Sequence, residues 1–159
     1  MGPRRLTYWL ICGLWAVAGI GLACGGTARA AGPVIALDAV TLTHMEEQAA
    51  LANPRERCYR YTELLAALTE VEGQQIAAGQ EEQARTTMQK MDEIAAKVQV
   101  AAAGDAKKLK DAEKMLEFAT HRVSDMVHVV GVEQQQALQA TWQHMNQVHN
   151  SVLAMVFSH

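Results

Sequence analysis

Histidine is the residue type with the most chemistry to offer in this chain, and five of its six histidines lie from His121 onward. Imidazole and thioether side chains bind copper, zinc and haem iron, and helical bundles hold such groups between facing helices. His121 and His128 are seven residues apart, so a helix places both on one face. Glu117 and Asp125 lie four residues before and after His121, which completes the composition of a divalent-cation site. The surrounding heptad, however, predicts that this face is a solvated stripe.

His149 occupies a different kind of position, on the apolar stripe of the last helix between Met145 and Val152. A buried histidine usually forms a hydrogen bond with a neighbouring polar group, and we expect one here. The alternative is that His149 is a haem or copper ligand, with Met45 or Met145 as the second ligand. A methionine on the first helix paired with a histidine on the last resembles the b-type four-helix cytochromes. No Cys-x-x-Cys-His motif is present, which excludes covalently attached haem.

The sequence contains no motif of a known catalytic centre. There is no Gly-x-Ser-x-Gly, no His-Glu-x-x-His and no phosphate-binding loop. Cys58 lies in helical register with Tyr61 and Leu65, which predicts a buried, unreactive thiol. Adjacent carboxylates such as Glu46 and Glu47 point apart on a helix and cannot share a proton. We therefore expect a protein without enzymatic activity.

The first thirty residues have the pattern of a secretory signal peptide. Arg4 and Arg5 precede an apolar run over residues 6–23, and Ala28-Arg29-Ala30 is a small-x-small cleavage site. We expect residues 1–30 to be removed and the chain to reach the periplasm or the outside of the cell by the general secretory route. Two alternatives stay open: lipidation of Cys24, or retention of the 18-residue run as an anchor. Either alternative would attach the protein to a membrane.

Residues 31–159 have the length of one domain with a single core. Without Arg4, Arg5 and Arg29, 11 Lys and Arg remain against 17 Asp and Glu, a net charge of 11 − 17 = −6. This acidic balance argues against nucleic acid and anionic lipid as partners. Once residues 1–30 are removed, Cys58 is the only cysteine left, so it is either a buried free thiol or part of an intermolecular disulfide.

Helix-forming residues dominate this region and predict an all-α fold. We expect a first helix over 36–52, a second from Asn53-Pro54 with a capping box to Glu56, and a third from Glu81. Gly104-Asp105 is expected to end the third helix and cap the fourth, and Gly131 is a kink or a boundary before the fifth. The fourth helix has coiled-coil-like heptad spacing over Leu109, Ala112, Leu116, Ala119, Val123, Met126 and Val130. Short connections predict an up-down bundle of four to five helices with antiparallel neighbours.

One helical hairpin in this pattern carries the spacing of a known repeat. The residues are Leu68, Val71, Gly79, Ala84, Met88 and Met91. They resemble one unit of the tetratricopeptide family, with a glycine at the turn and an alanine at the close contact. The resemblance implies a binding module. Glu72 departs from it, because the family has a small residue at that position.

The last helix carries no charged residue after Glu133. Loss of charge is typical of an interface core, although a neutral solvated face would have the same composition. For an interface, the expected anchors are Trp142, Met145, Val148 and Phe157. The sequence thus predicts an exported, non-enzymatic bundle without a cofactor, which acts by protein–protein interaction or self-association through this helix. A metal- or haem-binding bundle centred on His149 is the alternative.

Overall fold

The computed structural model describes residues 37–104 and 106–158, and these residues form five α-helices without a strand. Their bounds are α1 Ala39–Leu51, α2 Pro54–Ala77, α3 Glu81–Ala102, α4 Leu109–Val127 and α5 Val132–Ser158. This confirms the all-α prediction. The predicted signal peptide and the alternative lipid site at Cys24 lie outside the described residues. Along the part of the chain that is described, no helix has the length and apolar composition needed to cross a membrane.

Local capping explains where the first two helices begin. The Asp38 carboxylate accepts a hydrogen bond from the Thr41 N–H at 2.7 Å and so caps α1. The Asn53 side chain caps α2, and Pro54 is its first residue, as predicted. The capping box is not the one expected, however. Asn53 Oδ1 accepts from the Arg55 N–H at 3.0 Å, one residue before Glu56.

The fourth helix, α4, begins later in the chain than the sequence indicated. Instead of being capped at Gly104-Asp105, α4 begins at Leu109, after Lys108 adopts a left-handed conformation with φ 59°. The Lys108 ammonium lies 4.6 Å from the centroid of the Tyr59 ring, and this cation–π contact holds the turn against α2. Gly131 proves to be a boundary, because α4 ends at Val127 and α5 begins at Val132.

Four helices pack in a ring, in the order α2, α3, α5, α4, and α1 packs on the outside against α2. The Lys107 N–H donates to the Arg55 carbonyl at 2.6 Å, so the connection from α3 to α4 lies beside the beginning of α2. As a result, α4 starts next to α2 and runs parallel to it. Six connecting residues span up to about 20 Å, enough to cross the end of a bundle. The prediction of antiparallel neighbours is therefore right within the hairpins α2–α3 and α4–α5, and wrong between them.

The core lies along the axis of this ring, where the predicted apolar stripes meet. Among its fully buried members are Leu64, Leu65, Met91, Ile94, Leu116, Val123, Leu138 and Val152. Cys58 belongs to the same cluster and has no exposed surface. Its burial raises the pKa of the thiol to about 11, so the thiol stays protonated and unreactive. A disulfide to another chain would need this sulfur at the surface.

Outside the ring, α1 is held by a shared carboxylate. Glu46 Oε1 accepts hydrogen bonds from Lys90 Nζ at 2.7 Å and from Lys97 Nζ at 3.1 Å, both on α3. The hydrogen bond from Lys90 is the main reason that the pKa of Glu46 lies below its ordinary value. Ala49 of α1 is fully buried, whereas Leu42 and Met45 are partly exposed. This helix is thus a cover on the bundle rather than one of its four walls.

Gly79 provides a test of the α2–α3 turn, because it has a φ of +67° and nothing within 4 Å of the position of an added Cβ. We expect Gly79→Ala to lower the free energy of unfolding by about 1 kcal/mol, through backbone strain alone. Gly131→Ala is the control, since Gly131 has the same empty surroundings without a positive φ. Equal effects of the two substitutions in urea titrations would contradict this account.

Candidate functional site

The exposed side of α5 is an uncharged surface that runs along most of the helix. Its residues repeat at alternating steps of four and three and are all exposed: Gln136, Ala140, Gln143, Gln147, Asn150, Ala154 and Phe157. We call this set the outer face of α5. At 1.5 Å per residue it is about 30 Å long. Every Asp, Glu, Lys and Arg of the described chain precedes residue 134, so this surface lies apart from all of them in sequence.

The structure divides the four predicted interface anchors between the core and the surface. Met145 and Val148 are fully buried, so they have no surface to offer a partner. Phe157 is 82% exposed, and Trp142 is partly buried against the core. The reason is periodicity, because Met145 and Val148 continue the inward stripe of Leu138. Sequence reasoning missed the amide and alanine positions of the outer face, although their spacing and lack of charge were visible.

Two histidine–carboxylate pairs hold the inner side of α5 against both neighbouring helices. His149 Nε2 lies 3.0 Å from Glu113 Oε1 on α4, and each side chain is 14% exposed. The predicted hydrogen bond of His149 is thereby confirmed. His144 Nδ1 lies 3.2 Å from Asp92 Oδ1 on α3, and this pair is more open, with side chains 33% and 42% exposed. Thr141 also donates to Asp92, at 3.2 Å. These bonds fix which side of α5 faces outward.

The residues of the alternative metal or haem site are distributed over α1 and α5. Met45 lies on α1, which packs against α2, while His149 lies on α5 and faces Glu113. Met145 is one turn from His149, buried in the core. His121 on α4 and His128, the residue after its end, are both exposed, as predicted. In the described ranges, no group of three or more His, Cys, Asp or Glu could hold a metal ion.

Glu72 is the most unusual ionisable group of the described residues. It has no exposed surface, and neither of its carboxyl oxygens has a hydrogen-bond partner within the described part of the chain. Burial alone raises its pKa to about 8, so the carboxyl group is protonated at neutral pH. At the next residue, an added Cβ on Gly73 would lie 3.6 Å from Met126 Sδ, which shows how closely α2 and α4 approach. Displaced pKa values often mark functional sites, where several ionisable groups act on one another. The raised pKa of Glu72, in contrast, comes from burial alone.

The His149–Glu113 pair should contribute more to stability than the His144–Asp92 pair. We expect a double-mutant cycle on His149→Ala and Glu113→Ala to give a coupling of about 1–3 kcal/mol, since both groups are withdrawn from water. The same cycle on His144 and Asp92 should give less than about 1 kcal/mol, because solvent screens that pair. Equal couplings, measured by urea unfolding, would show that burial does not distinguish the pairs.

Replacing Glu72 should stabilise the protein at neutral pH. In the wild type, the carboxyl group of the unfolded chain ionises near its ordinary pKa of 4.5, while that of the folded protein keeps its proton up to about pH 8. The free energy of unfolding therefore falls across that interval as pH rises. Glu72→Met removes this loss. We expect the free energy of unfolding of the variant to exceed that of the wild type by about 1–4 kcal/mol at pH 7.5, and the difference to shrink towards pH 4.5.

The control for this prediction is Glu117→Met on the exposed side of α4. It should change the free energy of unfolding by less than about 0.5 kcal/mol at any of these pH values. A difference between wild type and the Glu72 variant that does not vary with pH would contradict the assignment of a protonated Glu72.

Chemically, the outer face of α5 offers amide donors and acceptors, small gaps at its alanines and one exposed aromatic ring. This composition is suited to contact with another protein surface and provides no nucleophile or metal ligand set. Compared with known proteins, the chain matches no family model, no curated protein and no solved structure. The indications of its function therefore lie in its own residues and contacts.

Proposed function

We propose that this protein is an exported, non-enzymatic helical bundle that acts by association through the outer face of α5, with a second copy of itself as the first partner to test. The observation that supports this is an exposed and uncharged helix face on a chain whose residues 31–159 carry a net charge of −6. The export part of the proposal rests on the signal-peptide pattern of residues 1–30.

A surface without charges is easier to remove from water than the other surfaces of this protein. Burying an ionised side chain costs several kcal/mol unless it finds a partner, whereas an amide needs only a hydrogen bond. The side chains of Gln143, Gln147 and Asn150 each carry both donors and an acceptor. Two copies of the outer face can therefore satisfy each other across a two-fold axis, as an isologous dimer requires.

The shape of the outer face also favours a helix as its partner. Ala140 and Ala154 leave space for a close approach, and Phe157 is a large apolar side chain near one end, 82% exposed. In an antiparallel pair, each Phe157 lies over the opposite end of the other α5. One helix face buries less than the roughly 1,200–2,000 Å² of a standard interface, so we expect micromolar or weaker association.

Substitution of the central amides tests this proposal. The double variant Gln143→Glu, Gln147→Glu places four negative charges in a two-fold interface, and we expect it to weaken dimerisation at least about tenfold. Gln83→Glu with Gln99→Glu, at exposed positions of α3, adds the same charge elsewhere and should leave the dimer unchanged. Sedimentation equilibrium over a range of protein concentrations measures both effects.

The outcomes separate the proposal from its rivals. A wild type that is monomeric at every concentration would contradict self-association, and any other partner would then have to bind the α5 double variant more weakly than the wild type.

Mass spectrometry of the exported protein tests removal of residues 1–30 on the same sample. Stoichiometric haem or copper in its absorption spectrum, lost in His149→Ala, would replace this proposal with the cofactor function.

A further inference from the structure

A groove lies between the beginning of α2 and the end of α3, beside the connection to α4. It has a volume of about 510 Å³, within the range of small-molecule sites. Its lining residues include Arg55, Arg57 and Lys97 but no carboxylate among the described residues. Three of the eleven cationic residues after position 30 thus meet in one concavity of an acidic protein.

Two of these cations, Arg57 and Lys97, are held in place by other contacts. Arg57 Nη2 donates to the Ala52 carbonyl at 3.1 Å, which fixes the guanidinium at the α1–α2 junction. Arg57 Nε is buried without a hydrogen-bond partner in the described chain. Lys97 Nζ donates to Glu46 at 3.1 Å and lies 5.7 Å from the centroid of the Tyr61 ring. Both side chains are therefore positioned before any ligand arrives, which lowers the entropic cost of binding one.

The remaining walls of the groove are apolar. They are formed by Pro54, Ala96, Val100 and Ala101, together with the ring of Tyr61. Val100 is 77% exposed, although it is a large apolar side chain in the last turn of α3. A guanidinium next to apolar walls suits a ligand that has a carboxylate at one end and a hydrocarbon body at the other.

We propose that this groove binds a small organic carboxylate with an apolar body, with Arg57 and Lys97 at the carboxylate and Val100 against the hydrocarbon. The groove is formed by α2 and α3, and α2 lies diagonally across the ring from α5. The site is therefore separate from the outer face of α5, and the failure of one proposal leaves the other untouched.

Isothermal titration of the full chain with octanoate, at low ionic strength, tests this site. We expect a dissociation constant below about 1 mM, and weaker binding as salt screens the cations. Octanamide has the same hydrocarbon body without the charge, and inorganic phosphate has charge without the body. Each should bind at least about tenfold more weakly than octanoate. Equal binding of either probe would overturn the proposed ligand class.

Two variants locate the binding. Val100→Glu places a negative charge in the groove at an exposed position and should weaken octanoate binding at least about tenfold. Val129→Glu is the matched control, since Val129 is 74% exposed and also lies near a helix C-terminus, at the opposite end of the bundle. Lys97→Gln should weaken binding several-fold while Glu46 keeps Lys90 as a partner.

Backbone amide shifts provide a second measurement that does not depend on any variant. Octanoate should shift resonances of residues 55–61 and 96–104 and leave those of α5 unchanged. No detectable binding of octanoate at about 10 mM, tenfold above the expected constant, would overturn the proposal. Equal loss of affinity in Val100→Glu and Val129→Glu would overturn it as well, because it would show only an effect of net charge.

Discussion

The bundle depends on burial of four inward stripes, one on each of α2, α3, α4 and α5, around a common axis. A fully buried leucine or valine in such a stripe contributes about 1.5–3 kcal/mol relative to an exposed one. Leu65, Ile94, Leu116 and Val152 show that every wall of the ring supplies such residues. Because each helix can turn only one stripe inward, this constraint also decides which residues are left at the surface.

The order of the helices around the ring follows from the short connection between α3 and α4. The hydrogen bond from Lys107 to Arg55 brings that connection to the beginning of α2, so the hairpin α4–α5 packs alongside the hairpin α2–α3. This arrangement places α5 between α3 and α4, where His144 and His149 each find a carboxylate. It also places Glu72 in the crowded interior next to Gly73, where α2 and α4 approach closely.

The two proposed binding surfaces, the outer face of α5 and the groove near Arg57, both result from this packing and lie at different places on the ring. The outer face of α5 is what remains after its inner stripe and its two histidines are engaged. The groove near Arg57 is bounded by α2, α3 and the α3–α4 connection, and its Lys97 donates a hydrogen bond to Glu46 on α1. One surface is uncharged and convex, and the other is cationic and concave, so they suit different kinds of partner.

The sequence by itself determined the helices, their inward stripes, the cap at Asn53, the turn at Gly79 and the burial of Cys58. These features depend on local propensity and on a period of 3.6 residues, which any single segment displays. It also predicted the hydrogen bond of His149, although not that the partner would be Glu113. Met145 and Val148, which it proposed as interface anchors, are buried, because residue type was weighed without the side of the helix on which each residue lies.

Only the tertiary structure decided which helices are neighbours. A connection of six residues can join two helices that pack together or can cross the end of a bundle, and its length does not distinguish the two. Ring order then brought together residues far apart in the chain, such as Asp92 on α3 with His144 on α5. Such pairs have no periodicity to reveal them, because their proximity arises from the packing of separate helices rather than from the spacing within one.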